Sequence, residues 1–303
     1  MNIDTDGFSA MIGPTGNLVR LFHKPTQCDV FHWCDDESEL LSHPQYYGVP
    51  LIFPPNRTAH GQFRFQGRIY QMPINDPVHD FNVHGFLLGQ RPKSIIREND
   101  RWIVQTVWDP GCQGFSGYPH TFELIRTYRF ESAKVWIETV ITNRSELDMP
   151  YGIGFHTAFA APQNEDVFIR VPHSGMFWQV DPDLRLPDGS LAPFASNVAA
   201  VLNGEAEVSS TPIAMLLSAP PQGTRFEIIR PTVNITCTAD QKFGFFAVWN
   251  AEGKRDMICL EPMSWMTNAP NSPLPHDRSG VRVLLPNESV SFSMSIDISS
   301  KIR

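Results

Sequence analysis

Four short segments of this 303-residue chain carry polar side chains that an apolar strand or a proline corner does not need. They are residues 54–57 (PPNR), 82–86 (NVHGF), 150–156 (PYGIGFH) and 258–261 (ICLE). Each ends on or contains one polar residue of interest: Arg57, His84, His156 and Glu261. A carboxylate and an imidazole that lie close together can act as the base and the acid of one proton-transfer reaction near neutral pH.

Glu261 is predicted to end an apolar strand that begins at Met257. A carboxylate in that position lies either at a solvated rim or in a cavity that its neighbours shield from water. In a cavity, burial raises the pKa of the carboxyl toward neutrality, as a general base working at pH 7 requires. A solvated carboxylate is the commoner case, so Glu261 alone does not identify a site.

His156 follows two glycines, Gly152 and Gly154, which permit close backbone contacts. A histidine beside Phe155 is usually a core residue, but its unperturbed pKa of about 6.5 also suits a general acid. His84 and Arg57 are candidate donors, since a guanidinium fork suits sugar hydroxyls or a carboxylate. Arg57 can equally be structural.

The elements that position these residues are predicted to be strands. Residues 289–298 (SVSFSMSIDI) alternate polar and apolar side chains without a break, which is typical of a half-buried strand. Similar patterns, separated by turn signals such as Asp-Pro-Gly, occur at 101–109, 121–130, 134–143, 225–230, 233–238, 244–249, 257–261 and 281–285. Short strands without helices between them predict antiparallel sheets packed face to face.

Composition excludes several classes of protein. Because proline is costly inside a helix, 26 prolines argue against a helical bundle. A net charge of −8 with no basic patch argues against nucleic-acid binding. We expect no membrane partner and a cytoplasmic location, because the chain begins without a signal-like segment and has no apolar run of about 20 residues.

Five cysteines, an odd number without zinc-knuckle spacing, indicate reduced thiols rather than a disulfide framework. The acidic run at 34–39 (CDDESE) lacks the spacing of a calcium loop and is predicted to be a solvated loop. No Gly/Ser-rich, Pro-rich or charged linker divides the chain. We therefore predict a single domain over residues 1–303.

Taken in order, the polar segments resemble the aldose 1-epimerase (galactose mutarotase) family. The matching stretches are 55–58 (PNRT), 61–67 (GQFRFQG), 82–85 (NVHG), 150–159 (PYGIGFHTAF), 259–262 (CLEP), 267–271 (TNAPN) and 285–289 (LPNES). The resemblance implies a large antiparallel β-supersandwich with few short helices and an open sugar cleft on one concave sheet. It also implies that the protein needs no cofactor and no metal.

Carried over by position, the resemblance implies that Glu261 is the general base, that His156 is the general acid, and that His84 and Arg57 contact the sugar. The implied reaction interconverts the α and β anomers of a free hexose by opening and closing its ring. The expected partner is a small-molecule sugar, and the expected assembly is a monomer or a homodimer.

Two departures from the family pattern concern the walls of the pocket. Thr157 and Ala158 stand where members often have proline and an aromatic residue. The aspartate with which galactose mutarotases hold the sugar has no clear counterpart, and three residues compete for that role: Asp181, Asp183 and Asp188. Galactose specificity therefore does not follow from the sequence.

Alternatives to a free-hexose mutarotase remain open. A hexose 6-phosphate 1-epimerase needs further cations at the rim, for which Arg64, Arg97 and Arg185 are candidates. A non-catalytic carbohydrate-binding module would not need a matched acid and base, and a polysaccharide lyase or hydrolase is disfavoured because no additional catalytic domain is seen. Trp249 is interpreted as a core residue rather than as a platform for the sugar.

Overall fold

A computed structural model describes residues 1–253 and 256–301. Within these residues the secondary structure is mostly extended, with three short α-helices: α1 (Glu37–Ser42), α2 (Ser196–Leu202) and α3 (His276–Ser279). Single 3-10 turns occur at Lys24–Thr26, Pro44–Tyr46, Phe115–Gly117, Val208–Ser210, Ala251–Gly253 and Ala269–Asn271. None of the helices in the described part of the chain is long and apolar enough to cross a membrane.

The strands of the first half of the described chain are β1 (Asn2–Asp4), β2 (Phe8–Ile12), β3 (Leu18–His23), β4 (Cys28–Asp29), β5 (Leu51–Ile52), β6 (Arg57–Ala59), β7 (Gln62–Phe65), β8 (Arg68–Gln71), β9 (Phe81–Val83), β10 (Ser94–Glu98), β11 (Arg101–Trp108), β12 (Phe122–Phe130) and β13 (Lys134–Asn143). Those of the second half are β14 (Met149–Tyr151), β15 (Gly154–Phe155), β16 (Thr157–Ala160), β17 (Phe168–Arg170), β18 (Met176–Val180), β19 (Pro187–Pro193), β20 (Ala214–Ser218), β21 (Thr224–Ile229), β22 (Val233–Ala239), β23 (Phe245–Trp249), β24 (Met257–Met263), β25 (Arg282–Leu284) and β26 (Ser289–Ser300). The prediction of an antiparallel all-β fold is confirmed.

Two large sheets form the body of the molecule. One has eight strands in the order β10-β11-β12-β13-β26-β22-β21-β17, and the other has six, with β20-β23-β24-β15-β5 in a row and β16 also paired to β24. The rings of Phe226 on β21 and Phe246 on β23 lie 5.1 Å apart, so side chains of the two sheets meet in the core. Successive side chains of a strand point to opposite faces. The neighbours of Phe246 on β23, Phe245 and Ala247, therefore point away from that contact.

Strand β24 corrects one prediction. It does not end at Glu261 but continues through Pro262 to Met263, and all of its residues are buried. Proline removes one donor from a sheet but its fixed φ is compatible with an extended chain, so Pro262 interrupts the hydrogen bonding without ending the strand. Glu261 is therefore an interior residue of a central strand.

The acidic run at 34–39 is solvent-facing, as predicted, but it is not all loop. Asp36 caps helix α1, because its Oδ1 accepts the N–H of Ser38 at 2.8 Å and that of Glu39 at 3.4 Å. Acidic residues in a first turn favour the helix further through its dipole, and Glu37 and Glu39 occupy that turn. All five cysteines are unpaired, in agreement with the prediction.

Candidate active site

The four predicted site residues meet in one cleft of about 340 Å³. Arg57, His84, His156 and Glu261 all line it, although they come from segments far apart in the sequence. The cleft lies over the six-stranded sheet, and its floor includes Ala247 of β23. The volume falls in the range of small-molecule sites, about 300–1,000 Å³.

His156 and Glu261 are cross-strand neighbours. Strands β15 and β16 both pair with β24 in one continuous register, and His156, the single residue between them, lies opposite Glu261. The His156 backbone N–H donates to the carbonyl of Pro50 at 2.9 Å, which fixes its position. His156 Nε2 lies 3.3 Å from Glu261 Oε1, and only 5% of each side chain is exposed.

The electrostatics of Glu261 suit a base. Burial raises the pKa of its carboxyl above the ordinary value, while the positive charges of His156 and Arg57 partly offset the effect. A carboxylate whose pKa moves toward neutrality accepts a proton more readily than a solvated one. Perturbed carboxylates of this kind are typical of functional clefts.

His84 reaches the site from a tight corner after β9. Its φ of +63° and that of Gly85, +76°, are both left-handed. A Cβ on Gly85 would lie 1.9 Å from the carbonyl oxygen of Phe53, so only glycine fits at this approach. The corner brings the His84 ring to 4.7 Å from that of His156, edge-on at 84°.

His84 is a neutral group in this setting. Burial lowers the pKa of its imidazole well below 6.5, and the positive charges of His156 and Arg57 lower it further. Its Nδ1 is buried without a hydrogen-bond partner, as is Nδ1 of His156. A neutral imidazole has one N–H and one lone pair, either of which can meet a hydroxyl.

Arg57 is held by its backbone. It pairs with Val83 across β6 and β9, its N–H donates to Asn56 Oδ1 at 2.9 Å, and its carbonyl accepts from the N–H of Asn268 at 2.8 Å. The guanidinium donates from Nη1 to the carbonyl of Arg185 at 3.4 Å. Burial and the nearby positive charge of Arg185 lower the pKa of Arg57.

The interpretation of Trp249 as a core residue is wrong. Trp249 is half-buried in the wall of the cleft, where its ring stacks on Tyr46 at 5.9 Å and lies 6.0 Å from the ring of His156. Trp249 lies two residues after Ala247, so the two side chains are on the same face of β23. Knowing that Ala247 faces the cleft would therefore have predicted that Trp249 faces it too. Tyr46 lies in a 3-10 turn and carried no sequence signal.

None of the three candidate aspartates lines the cleft. Asp181 Oδ1 accepts the N–H groups of Asp183 and Leu184 at 2.8 Å each, and Asp188 Oδ1 accepts the N–H of Ser190 at 2.8 Å. The Asp181 carboxylate thus stabilises the turn that joins β18 to β19, and the Asp188 carboxylate is used within β19. Among the described residues that line the cleft, Glu261 is the one carboxylate.

Of the three rim arginines suggested by the sequence, one contacts the site. Arg185 meets Arg57 through its carbonyl, whereas Arg64 on β7 and Arg97 on β10 do not line the cleft. Arg185 lies in the turn that joins β18 to β19, where it is exposed, and it does not line the cleft itself.

One group of donor atoms could hold a metal. His156, Cys259 and Glu261 each offer one ligand atom, and all three atoms lie within 4.8 Å of one another. Burial, with the negative charge of Glu261, raises the pKa of the Cys259 thiol well above its ordinary value. The thiol must therefore lose a proton that it holds firmly before it can act as a ligand.

Several solved structures share this fold. A galactose mutarotase-like protein from Clostridium acetobutylicum superposes with a TM-score of 0.88 at 24% identity, covering 99% of this chain and 94% of that one. An aldose epimerase homologue from C. elegans gives a TM-score of 0.77 at 14% identity, covering 99% of this chain and 98% of that one. The fold is therefore the galactose mutarotase-like sandwich that the resemblance implied.

Sequence comparison agrees with the structural one. The Escherichia coli (strain K12) protein YihR is 31% identical over 112 residues, a match that spans 37% of this chain and 35% of that protein. The chain thus covers about a third of the length of this curated relative. The family model for aldose 1-epimerase matches residues 2–297, nearly the whole sequence. The chain belongs to the aldose 1-epimerase family.

Proposed function

We propose that this protein is a cofactor-independent mutarotase that interconverts the α and β anomers of an aldose. One observation carries the proposal: a buried imidazole and a buried carboxylate, His156 Nε2 and Glu261 Oε1, lie 3.3 Å apart in a sugar-sized cleft. Ring opening needs a proton removed from the anomeric hydroxyl and one added to the ring oxygen. Because both oxygens are bonded to the same carbon, the base and the acid must lie close together.

The reaction begins with Glu261 ionised and His156 protonated. Glu261 takes the proton of the anomeric hydroxyl, the bond between the anomeric carbon and the ring oxygen breaks, and His156 gives its proton to that oxygen. The open aldehyde turns about its first carbon–carbon bond. Reclosure on the other face returns one proton to His156 and moves the proton on Glu261 to the new anomeric oxygen, which regenerates both groups.

The remaining residues of the cleft orient the sugar. Trp249 offers an aromatic face against which the apolar face of a sugar ring can pack. His84 and Arg57 supply polar groups that can hydrogen-bond the hydroxyls of the sugar. Neither takes part in proton transfer, because neither exchanges its proton near neutral pH. This division leaves proton transfer to His156 and Glu261.

A binding module on the same fold would not be expected to keep this pair. Burying an ionisable carboxylate costs free energy, and a site that only binds neutral hydroxyls could use an amide instead. The raised pKa of Glu261 shows that burying its charged form is unfavourable, and a role as general base accounts for keeping it buried.

Polarimetry tests the proposal. Freshly dissolved α-glucose and α-galactose are mixed with the protein, and optical rotation is followed against buffer and against the heat-denatured protein. We expect the native protein to shorten the approach to anomeric equilibrium for at least one common aldose. Relaxation at the buffer rate for every aldose tried would contradict the proposal.

A further inference from the structure

The backbone around His156 is held from two sides. On one side, β15 and β16 pair with β24. On the other side lies the segment 48–52, where the carbonyl of Pro50 accepts the N–H of His156 and the carbonyl of Gly48 accepts the N–H of Ala158, both at 2.9 Å. The position of His156 therefore depends on where residues 48–52 lie.

The outer edge of this segment is closed by residues 17 and 18. The N–H of Val49 donates to the carbonyl of Leu18 at 2.9 Å, and the N–H of Leu51 donates to Asn17 Oδ1 at 3.1 Å. Asn17 is 3% exposed, so a buried side-chain oxygen stands where a further strand would supply a carbonyl. Because a buried backbone N–H without an acceptor is costly, Asn17 holds the segment in place at Leu51.

Arg126 fixes the orientation of the Asn17 amide. It lies on the inward face of β12, where its Nη1 donates to Asn17 Oδ1 and its Nη2 donates to the carbonyl of Thr15 at 3.2 Å. A guanidinium has only donors, so the Asn17 atom that faces it must be the oxygen. Asn17 Nδ2 correspondingly donates to Thr15 Oγ1 at 2.8 Å. A turned-over amide would present its N–H₂ group to both Arg126 and Leu51.

Arg126 is a buried cation without a counter-ion. It is 3% exposed, its Nε has no hydrogen-bond partner, and within the described residues it makes no ion pair within 4.0 Å. A buried unpaired charge is unfavourable, and an apolar side chain would fill this inward row of β12 without that cost. We propose that Asn17 is a positioning residue for His156, and that Arg126 acts by orienting Asn17. The inference rests on the proposed mutarotase function, because it concerns the residue that supplies the acid.

The effect should fall on the chemical step rather than on sugar binding. His156 Nε2 must reach the ring oxygen while Glu261 reaches the anomeric hydroxyl, and a displacement of about 1 Å can lower a rate by about 10²-fold. Asn17 and Arg126 do not line the cleft, so neither should contact the sugar. Their loss should therefore lower kcat and leave KM unchanged.

Two substitutions of Asn17 test the hydrogen bond to Leu51 in the full chain. Asn17→Ala removes the acceptor, whereas Asn17→Asp keeps an oxygen of the same shape and gives Arg126 a counter-ion. Initial rates by polarimetry over a range of sugar concentrations separate kcat from KM. We expect Asn17→Ala to lower kcat by about tenfold or more at unchanged KM. Asn17→Asp should retain most of the wild-type kcat.

Asn143→Ala is the matched control. Asn143 is fully buried at the end of β13, outside the cleft, and its Nδ2 donates to the carbonyls of Leu147 and Leu284 at 2.8 and 2.9 Å. Its loss should destabilise the protein to a similar degree and leave kcat per folded molecule unchanged. A general loss of stability would lower kcat in both alanine variants, whereas a positioning role lowers it only in Asn17→Ala.

Arg126→Met tests the residue behind Asn17, since methionine fills the inward row of β12 without a donor. It should lower kcat in the wild-type background and cause no further loss in the Asn17→Ala background, because Arg126 acts through Asn17. If Asn17→Ala does not fold, Arg126→Met carries the test alone. Unchanged kcat in Arg126→Met would then overturn the inference.

Amide hydrogen exchange tests the same chain of contacts without using activity. The N–H of His156 should exchange faster in Asn17→Ala than in Asn143→Ala at matched global stability. Any of three results would overturn the inference: unchanged kcat in Asn17→Ala, an Asn17→Asp variant as slow as Asn17→Ala, or equal exchange at His156 in the two alanine variants.

Failure of the mutarotase proposal looks different from failure of this inference. In that case the wild-type protein interconverts the anomers of every sugar no faster than buffer does. Hydrogen exchange at His156 then decides alone. Faster exchange confined to the Asn17 and Arg126 variants supports the positioning role, and equal exchange refutes it.

Discussion

The imidazole of His84 stands edge-on to that of His156, with ring centroids 4.7 Å apart and ring planes at 84°. His84 stays neutral near neutral pH, because burial and the positive charge of its neighbour depress the pKa of its imidazole. In the proposed reaction His156 donates the proton, whereas the second imidazole, that of His84, stays neutral. The proposed reaction therefore gives the two histidines different tasks.

Replacing His84 by asparagine should therefore weaken catalysis without changing its pH dependence. We expect kcat/KM to fall by about tenfold, the value of one lost hydrogen bond to the substrate. His60→Asn, at an exposed histidine, serves as the control. A pH–rate profile whose limbs move in His84→Asn would show instead that His84 takes part in proton transfer.

Glu261→Gln should remove the general base while keeping the shape of the cleft. Turnover is expected to fall by about 10²- to 10⁴-fold, and sugar binding measured by calorimetry should persist. Glu98→Gln, at an exposed position of β10, controls for loss of a carboxylate elsewhere. Unchanged turnover in Glu261→Gln would refute the assignment of the base.

The same substitution should stabilise the protein at neutral pH. The pKa of Glu261 is raised above its ordinary 4.5 by burial, so the folded state holds the proton more tightly than the unfolded state. Wild-type stability is then unaffected by this group below pH 4.5 and decreases as the pH rises through the folded pKa. A glutamine at position 261 does not titrate, so the variant does not lose this stability as the pH rises.

Chemical unfolding of both proteins across pH checks this sign. The free energy of unfolding of Glu261→Gln should exceed that of the wild type at pH 7, and the difference should shrink on approach to pH 4.5. The acid limb of wild-type kcat/KM should correspondingly have its midpoint above 4.5. An equal or lower stability of the variant at pH 7 would contradict a pKa of Glu261 that burial raises.

Gly85→Ala should destabilise the protein more than Gly67→Ala does, although the two glycines have the same φ. Gly85 and Gly67 share a φ of +76°, but an added Cβ meets the carbonyl of Phe53 at 1.9 Å in the first case and nothing within 4 Å in the second. Gly67→Ala should cost about 1–2 kcal/mol of stability. Gly85→Ala should cost at least about 1 kcal/mol more, because the backbone must move. Equal melting temperatures would argue against the close approach.

Chelation should leave the activity intact, since the proposed chemistry uses only side-chain proton transfer. Dialysis against EDTA followed by polarimetry checks this expectation. Added Zn²⁺ should inhibit, because His156, Cys259 and Glu261 place three donor atoms within 4.8 Å and a bound cation would occupy both proton-transfer groups. Sugar should protect against the metal. Loss of activity on chelation would reveal a requirement that the proposed reaction lacks.

Local patterns predicted most of the strands because alternation of side chains is a short-range signal. Strand β13 was predicted at its observed bounds, Lys134–Asn143, and the alternation of residues 289–298 lies within β26. Pro262 misled the prediction at β24, since proline usually marks a strand end and here does not. Asp36 was read as part of a loop because its capping role depends on the helix that follows it.

The pairing of distant segments could not be read from local patterns. That His156 faces Glu261 depends on the register of β15 and β16 against β24, which long-range packing sets. The family resemblance supplied the grouping of the four site residues, and the structure shows that they meet. Arg185 was suggested as a rim cation, but its actual contact with Arg57, through the Arg185 backbone carbonyl, depends on a hairpin turn far away in the sequence.

The continuous register that places His156 opposite Glu261 also ties the geometry of this pair to the cooperative unfolding of the sheet. Both residues belong to central rungs of the six-stranded sheet rather than to surface loops, so they cannot separate unless the sheet itself opens. His156 and Glu261 should keep their spacing at temperatures where peripheral hairpins such as β18–β19 already fray. Heat would then act first on how tightly a sugar is held, and the chemical step would be lost only when the whole sheet unfolds.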